Sequence, residues 1–399
     1  MEALLCDLAR EEHTEDTFNA LLSIVKQLGK QQNDQIQLNL DLEYDYPNEI
    51  LLGILNHISR NNVLLLLLAK ACNAYTDLLY YTLRNMTRTI QQQEDHGFFF
   101  VLFSLLRIPK EGNLQYWIQP PSERVLPFQK YHQLKALYTD LVLELLPRLR
   151  SEASLKKTLL IMDKHILPHV TKPLALADFF SSAFRRGGSL LAILSLRSLF
   201  VLMRQHNLNY ADFYPRLYSL LSPEILADHV PYRTAFLKQL RLYLSSTMLP
   251  ASTVAAFIKK LLGIAILVPS GSLIAWVLPF IYNLLLEHPL CRALVHREAT
   301  SSTERDPFKA DETDPSKADA LDSSLWELHV LQRHYSIRIS RLVEILGDGK
   351  FARPPYDLDA MADDLEGDSL GSLAAASDEL EHRWSRPPPI QVPMSETLF

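Results

Sequence analysis

Apolar positions recur every three or four residues through most of this chain, in stretches of helical length that end at Pro, Gly or Asn. YHQLKALYTDLVLELLPRLR, LKKTLLIMDKHILPHV, PLALADFFSSAF and GGSLLAILSLRSLFVLMRQHN follow one another in this way. Upstream, Leu21, Leu22, Val25 and Leu28 predict a helix ended by Gly29. Leu64 to Leu68 form an unbroken leucine run that cannot hide on one narrow stripe, so its helix is expected to be covered on several sides. FFFVLFSLLRIP after Gly97 reads as a buried helix, followed by a loop around Trp117. In YRTAFLKQLRLYL, Phe236, Leu237, Leu240 and Leu244 make the apolar stripe, and Arg233, Lys238 and Arg241 share an arc opposite. SIRISRLVEILGDGK predicts a last amphipathic helix capped at Gly347. No strict repeat is present, but the alternation suits an all-α array of degenerate HEAT-like helix pairs, an α-solenoid. A globular bundle fits the same pattern.

Composition narrows this reading. Glycine is scarce, at 12 of 399 residues, which favours helices over turn-rich β structure. Cys6, Cys72 and Cys291 lie far apart without CxxC spacing, so neither a disulfide framework nor a thiolate zinc cluster is expected. The N-terminus lacks the basic-then-apolar layout of a secretory signal. Leu261 to Leu286 is the most membrane-like run, but Pro269-Ser270-Gly271-Ser272 splits it into halves shorter than the roughly 20 residues a span requires. Two buried helices are expected there. The net charge is −6, unevenly spread. Between Arg148 and Lys260 sixteen Lys and Arg stand against six Asp and Glu, whereas Pro354 to Glu381 holds nine acids and no Lys or Arg.

Candidate chemistry adds little. The chain has no phosphate-binding loop or dinucleotide fingerprint, and Gly187-Gly188 reads as a helix break. His288, Cys291 and His296 are metal-like residue types without a second pair, and are read as ordinary helix-end positions. Asp363, Asp364 and Glu366 fall in a stretch expected to be flexible and are read as solvated charge, since acid–base work needs fixed geometry. No catalytic, cofactor or metal residues are assigned. The basic helices are the better signal: Arg233, Lys238, Arg241, Lys259 and Lys260 would face the phosphates of an RNA, unless they are only the solvated side of core helices.

The most distinctive stretch is an acidic loop, Glu304 to Asp319, with the pairs Asp306-Pro307 and Asp314-Pro315. It is expected to cross the surface as an extended strap, because proline fixes its own φ and moves its predecessor out of the α region. A helix capped by Asp322 or Ser323 should follow, with Leu325, Leu328 and Leu331 at helical spacing beside Trp326. Either these residues form a lid with Trp326 as core, or Leu325, Trp326, Leu328 and Leu331 join Phe280 and Tyr282 in a groove for a partner helix. The expected organisation is thus residues 1–205, helical repeats; 206–347, a second helical domain with strap and capping helix; and 348–399, an acidic, Pro-rich, disordered tail.

FYPRLYSLL, YRTAFLKQLRLYLSSTMLP, VAAFIKKL, LPFIYNLLLEHPLCRALVH and DETDPSKADALDSSLWEL occur in this order. Together they resemble the CCAAT-binding-factor type domain, and more narrowly the family of the fourth nucleolar complex protein. Two departures stand out: Ser336-Ile337 follows Tyr335 where the family continues with His and Pro, and after Tyr356-Asp357-Leu358 no aromatic residue comes before Trp384. The N-terminal part is also short for the family, as in a reduced protein or a truncated gene model. The resemblance implies a non-enzymatic, helical-repeat scaffold of the nucleus and nucleolus, acting in 18S rRNA maturation and small-subunit assembly. It further implies a heterodimer with a second assembly factor of the nucleolar protein 14 type, on a pre-ribosomal particle with pre-rRNA. The alternative is a transport or chromatin adaptor binding protein alone.

Overall fold

The structure, a computed structural model, describes residues 14–38, 46–57, 62–90, 97–120, 126–227, 232–268, 270–297 and 306–361. Among these every regular element is a helix. The chain divides into two compact units, Met1–Tyr210 and Ala211–Phe399.

The first unit contains α1 (Thr14–Leu38), α2 (Asn48–His57), α3 (Asn62–Ala74), α4 (Thr76–Ile90), α5 (Gly97–Leu105), α6 (Tyr131–Leu145), α7 (Glu152–Ile161), α8 (Ala177–Arg186) and α9 (Ser189–His206). Odd-numbered helices touch in the succession α1, α3, α5, α7, α9, while α2, α4 and α6 touch in a second row. Neighbours such as α3 with α4 and α8 with α9 join the rows. This is the stacking of a helical-repeat array, in which each helix buries one face against its hairpin partner and another against the next repeat. The breakers act as expected at Gly187-Gly188, which separates α8 from α9, and at Asn207, whose left-handed backbone (φ 52°) closes α9.

Two local expectations fail here. Gly29 does not end its helix, because α1 runs through it to Leu38; a Cβ at this position would overlap the Ile118 side chain. The glycine admits a close neighbour instead of a turn. In the leucine run, Leu64, Leu65 and Leu68 are buried, but Leu66 is 58% exposed beside Val63 at 54%. One flank of α3 is therefore open. The Trp117 loop is fixed by a buried carboxylate: Asp77 accepts hydrogen bonds from the Trp117 and Ile118 backbone amides at 2.9 and 3.0 Å.

The second unit comprises α10 (Phe213–Leu220), α11 (Pro223–Leu226), α12 (Arg233–Leu244), α13 (Ala251–Leu267), α14 (Gly271–Glu287), α15 (Ala293–His296), α16 (Glu327–Gln332) and α17 (Ile337–Gly347). The split apolar run becomes α13 and α14, packed together, with Ser270 capping α14 by accepting from Leu273 N at 3.2 Å. α14 continues through Pro279. No described helix is long and apolar enough to cross a membrane. α13 is the hub: α11, α14, α16 and both 3₁₀ turns of the strap pack on it. Val254, Phe257, Ile258, Leu261 and Leu262 are fully buried there.

The tail begins later than expected. Residues 351–361 lie along α14 in register: Tyr282 exchanges hydrogen bonds with the backbone of Arg353, and Asn283 clamps Tyr356 by donating to its carbonyl and accepting from its amide. Trp276 Nε1 donates to Leu358 O, and Leu358 is 1% exposed. Side chains of α14 hold the backbone of this stretch, and Phe351 and Tyr356 pack on the Tyr282 ring. The expected flexibility of residues 362–399, with Asp363, Asp364, Glu366 and Trp384, lies outside the described residues.

Candidate interaction surfaces

The strap, from Asp306 to Asp322, is folded into turns and is not extended. Each Asp-Pro pair makes the same device: Asp306 accepts from Phe308 N and Asp314 from Ser316 N, both at 3.0 Å, so the carboxylate reaches over its proline to the amide two residues on. Two 3₁₀ turns follow, Pro315–Lys317 and Ala320–Asp322. The next helix starts at Glu327, later than an Asp322 or Ser323 cap would place it, because the Ser323 hydroxyl is spent on Asp306.

Lys259 is the anchor of the strap. Its ammonium lies 2.6 Å from Glu327 Oε1 and 2.9 Å from Asp306 Oδ2, donates to Ser324 O, and faces the rings of Phe308 and Trp326. The side chain is completely buried. Two carboxylates share one cation, and they titrate in opposite senses. Burial pushes the Glu327 carboxyl up, with Lys259 opposing, and its Oε2 has no hydrogen-bond partner. Burial would raise Asp306 too, but hydrogen bonds from Ser323, Lys259, the Phe308 amide and Trp326 outweigh it and hold this carboxyl low. Any proton taken up by the group therefore goes first to Glu327.

The residues expected to face RNA are thereby redistributed. Lys259 is a buried counter-ion. Arg233, 4% exposed, reaches Ser270 and Ser272 Oγ in the interior. Lys260 donates to Tyr218 O at 2.8 Å and lies over that ring, and burial lowers its pKa. Arg241 pairs with Asp359 of the docked tail at 2.7 Å. Lys238 alone of the five is largely exposed. Helical spacing placed Arg233, Lys238 and Arg241 opposite the apolar stripe of their own helix, but the α14 cap engages Arg233 and the docked tail engages Arg241.

Of the six residues expected to bind a partner, Leu325, Leu328, Leu331, Phe280 and Tyr282 are buried, and Trp326 is 43% exposed. The lid reading holds for the leucines but not for Trp326, whose indole N–H donates to Asp306 Oδ2 at 2.7 Å while one face stays open. Trp326 lines a cleft of about 300 Å³ with Leu294, His329, Gln332, Val343 and Glu344. The cleft draws on α15, α16 and α17, which sequence spacing alone does not bring together. Burial pushes the Cys72 thiol up to about 12 and the Cys291 thiol to about 11. Both sulfurs are inert in that state, and no cluster of metal-ligand side chains occurs among the described residues.

Fold and interior together define an all-α protein whose second unit is sealed by an acidic strap, and residues 192–343 match the CBF/Mak21 family. The chain is similar to nucleolar complex protein 4 homolog B of Xenopus laevis, with 36% identity across 76% of this chain and 60% of that protein. It is also similar to homolog A of the same organism, at 36% across 81% and 62%. The human nucleolar complex protein 4 homolog shares 46% identity over 48% of this chain and 36% of its own length. The chain thus spans at most about three fifths of these relatives.

Proposed function

We propose that the chain is a non-enzymatic scaffold of the nucleus and nucleolus that acts in small-subunit ribosome assembly and 18S rRNA maturation. It pairs with a second nucleolar protein of the nucleolar protein 14 type and works on a particle carrying pre-rRNA. The similarity to nucleolar complex protein 4 homologs carries this reading. The architecture is compatible with it: two stacked helix rows present long surfaces, the Cys72 and Cys291 thiols are buried, and Asp306 and Glu327 are engaged by Lys259. In this reading Trp326 and its cleft form the partner surface, because an exposed indole beside a concave, partly apolar wall is the kind of anchor that dominates interface energetics.

The test is affinity purification of the tagged chain from growing cells at moderate salt, with protein and RNA both identified. One stoichiometric nucleolar partner and 18S precursors are expected. Recovery of a partner without pre-rRNA would replace this reading by a protein-only adaptor. Trp326→Ala should lose the partner while circular dichroism of the purified chain shows its helices retained. If the partner is retained, the cleft is not the interface.

A further inference from the structure

Removing Arg233, Lys259 and Arg241 from the open surface leaves the basic excess of the middle stretch mainly at 148–210, in the first unit. There the cations differ in their surroundings. Arg148 pairs with Glu144 and Arg197 with Asp163, and both are ordinary ion pairs. Another group has no ion pair among the described residues, and it comes from three separate segments.

The segment after α7 leaves regular α geometry in one wide turn, Met162–Ile166, followed by the 3₁₀ turn Leu167–His169. This carries the chain back across α6. Thr171 donates from both its backbone N and its hydroxyl to Thr139 Oγ1, at 2.9 and 3.1 Å, and Tyr138 OH donates to His165 O at 3.5 Å. The His169 ring meets the Tyr138 ring edge-on, with centroids 6.3 Å apart. Tyr138 and Thr139 lie three and four residues beyond Lys135 on α6, on the same side of the helix. The docking of this loop therefore brings His165 and His169 to Lys135, with Lys164 and Lys172 at its two ends. Arg107, which follows α5, is near enough to act on the Tyr138 hydroxyl.

Like charges held together in this way repel one another, and the histidine records it. Burial lowers the His169 pKa first, and the positive charges of Lys135 and His165 lower it further. The Nδ1 atom of His169 is buried without a hydrogen-bond partner. The neighbouring acids do not neutralise the group. Asp163 is engaged by Arg197 and Ser198, while Glu111, whose charge is felt at Tyr131, and Asp140 form no ion pair among the described residues. Lys164 and Lys172 are exposed, and Lys135 is half-buried over the Tyr131 ring at 5.0 Å.

We propose that Arg107, Lys135, Lys164 and Lys172, beside the imidazoles of His165 and His169, form a seat for the phosphate backbone of RNA on the first unit. The inference deepens the functional reading above, from which it takes RNA as the polyanion. The chemistry is that of backbone binding: cations on loops and helix surfaces, a ring available beside Lys135, and no carboxylate or amide set placed to read base edges. Affinity should accordingly fall steeply with salt and depend little on sequence.

The test uses the full chain and a fluorescently labelled uridine homopolymer, followed by anisotropy across a salt series. The Lys135→Glu/Lys164→Glu/Lys172→Glu variant is expected to bind at least about tenfold more weakly at low salt. The parallel Gln variant should lower the slope of log affinity against log salt by about 2, the loss of three phosphate contacts at roughly 0.7 each on a single strand. Circular dichroism of both variants confirms that the fold is retained, and Arg333→Glu, an exposed position of the second unit, serves as the control that leaves binding unchanged. Unaltered affinity in the triple variants overturns the proposal, and so does wild-type protein that fails to bind the homopolymer. If polyglutamate binds in its place and the triple variants lose it, the patch serves an acidic protein and the RNA assignment falls. Loss of RNA with the nucleolar partner still recovered from cells concerns the scaffold's RNA contact alone, whereas absence of that partner in the wild type concerns the scaffold reading.

Discussion

Lys259 holds an unfavourable position that only its partners make tolerable. Removing one member of a buried charged group leaves the others unneutralised, which typically costs about 3–5 kcal/mol. Lys259→Met should therefore lower the unfolding free energy measured in urea by that amount, and adding Glu327→Gln should recover part of it, because the orphaned carboxylate is then gone. Additive losses in the double variant would show that the contacts are independent. The two carboxylates also predict a pH dependence with opposing arms. Asp306 is held low, so its contribution is complete above the ordinary carboxylate range, near pH 4, and is lost as pH falls through its folded value. Glu327 is raised, so its contribution is complete below about pH 4.3 and is lost as pH rises through its folded value. Glu327→Gln should remove the second arm and gain stability relative to the wild type between mildly acidic and neutral pH. A parallel pH profile for the two proteins would contradict this assignment. None of this is legible locally, since the counter-charge at Asp306 lies 47 residues downstream of Lys259 and helical spacing reports only a residue's own helix.

Among the elements, the docked stretch 351–361 separates what composition can say from what it cannot. Its paired prolines and its aspartates make it read as tail, although Phe351, Tyr356 and Leu358 lie within it. Its order comes from α14, where Tyr282 and Asn283 act as surrogate backbone, as a neighbouring strand would in a sheet. Asn283→Ala removes both bonds to Tyr356 and leaves two backbone groups to find water, at a cost of about 1–3 kcal/mol. The amides of residues 353–361 should then exchange hydrogen faster, while those of α13 remain protected. Equal acceleration in both would mean that the stretch is part of the core of the unit. The strap shows the same division: proline positions foretold an irregular, helix-free crossing, but the aspartates decide its shape. Gly29 likewise misleads, because its partner Ile118 lies in a loop far along the chain.

Over the whole molecule, the alternation of helix and breaker was enough to foretell stacked helix pairs. That pattern is local, repeated, and set by side-chain periodicity. The distribution of charge was legible as an asymmetry but not as a surface. The basic middle of the sequence divides between the two units, and in the second most of its cations are drawn inward by carbonyls, hydroxyls and carboxylates. In the first, a loop crossing α6 concentrates what remains. Which cations meet solvent depends on contacts between distant segments, and these the sequence does not spell out.

The internal ion group has a further consequence while the protein is being made. Chains emerge from the ribosome N-terminal end first, so α13 is complete before Asp306 or Glu327 exists. During that interval Lys259 has neither counter-charge, and the hydrated ammonium opposes desolvation of one of the most apolar helices in the chain. The lysine thus acts first as an intrinsic solubiliser, keeping α13 from premature self-association, and becomes the keystone of the strap only once synthesis has passed Glu327. Methionine at this site would remove both roles, and soluble yield during expression would fall further than the loss of folded stability alone accounts for.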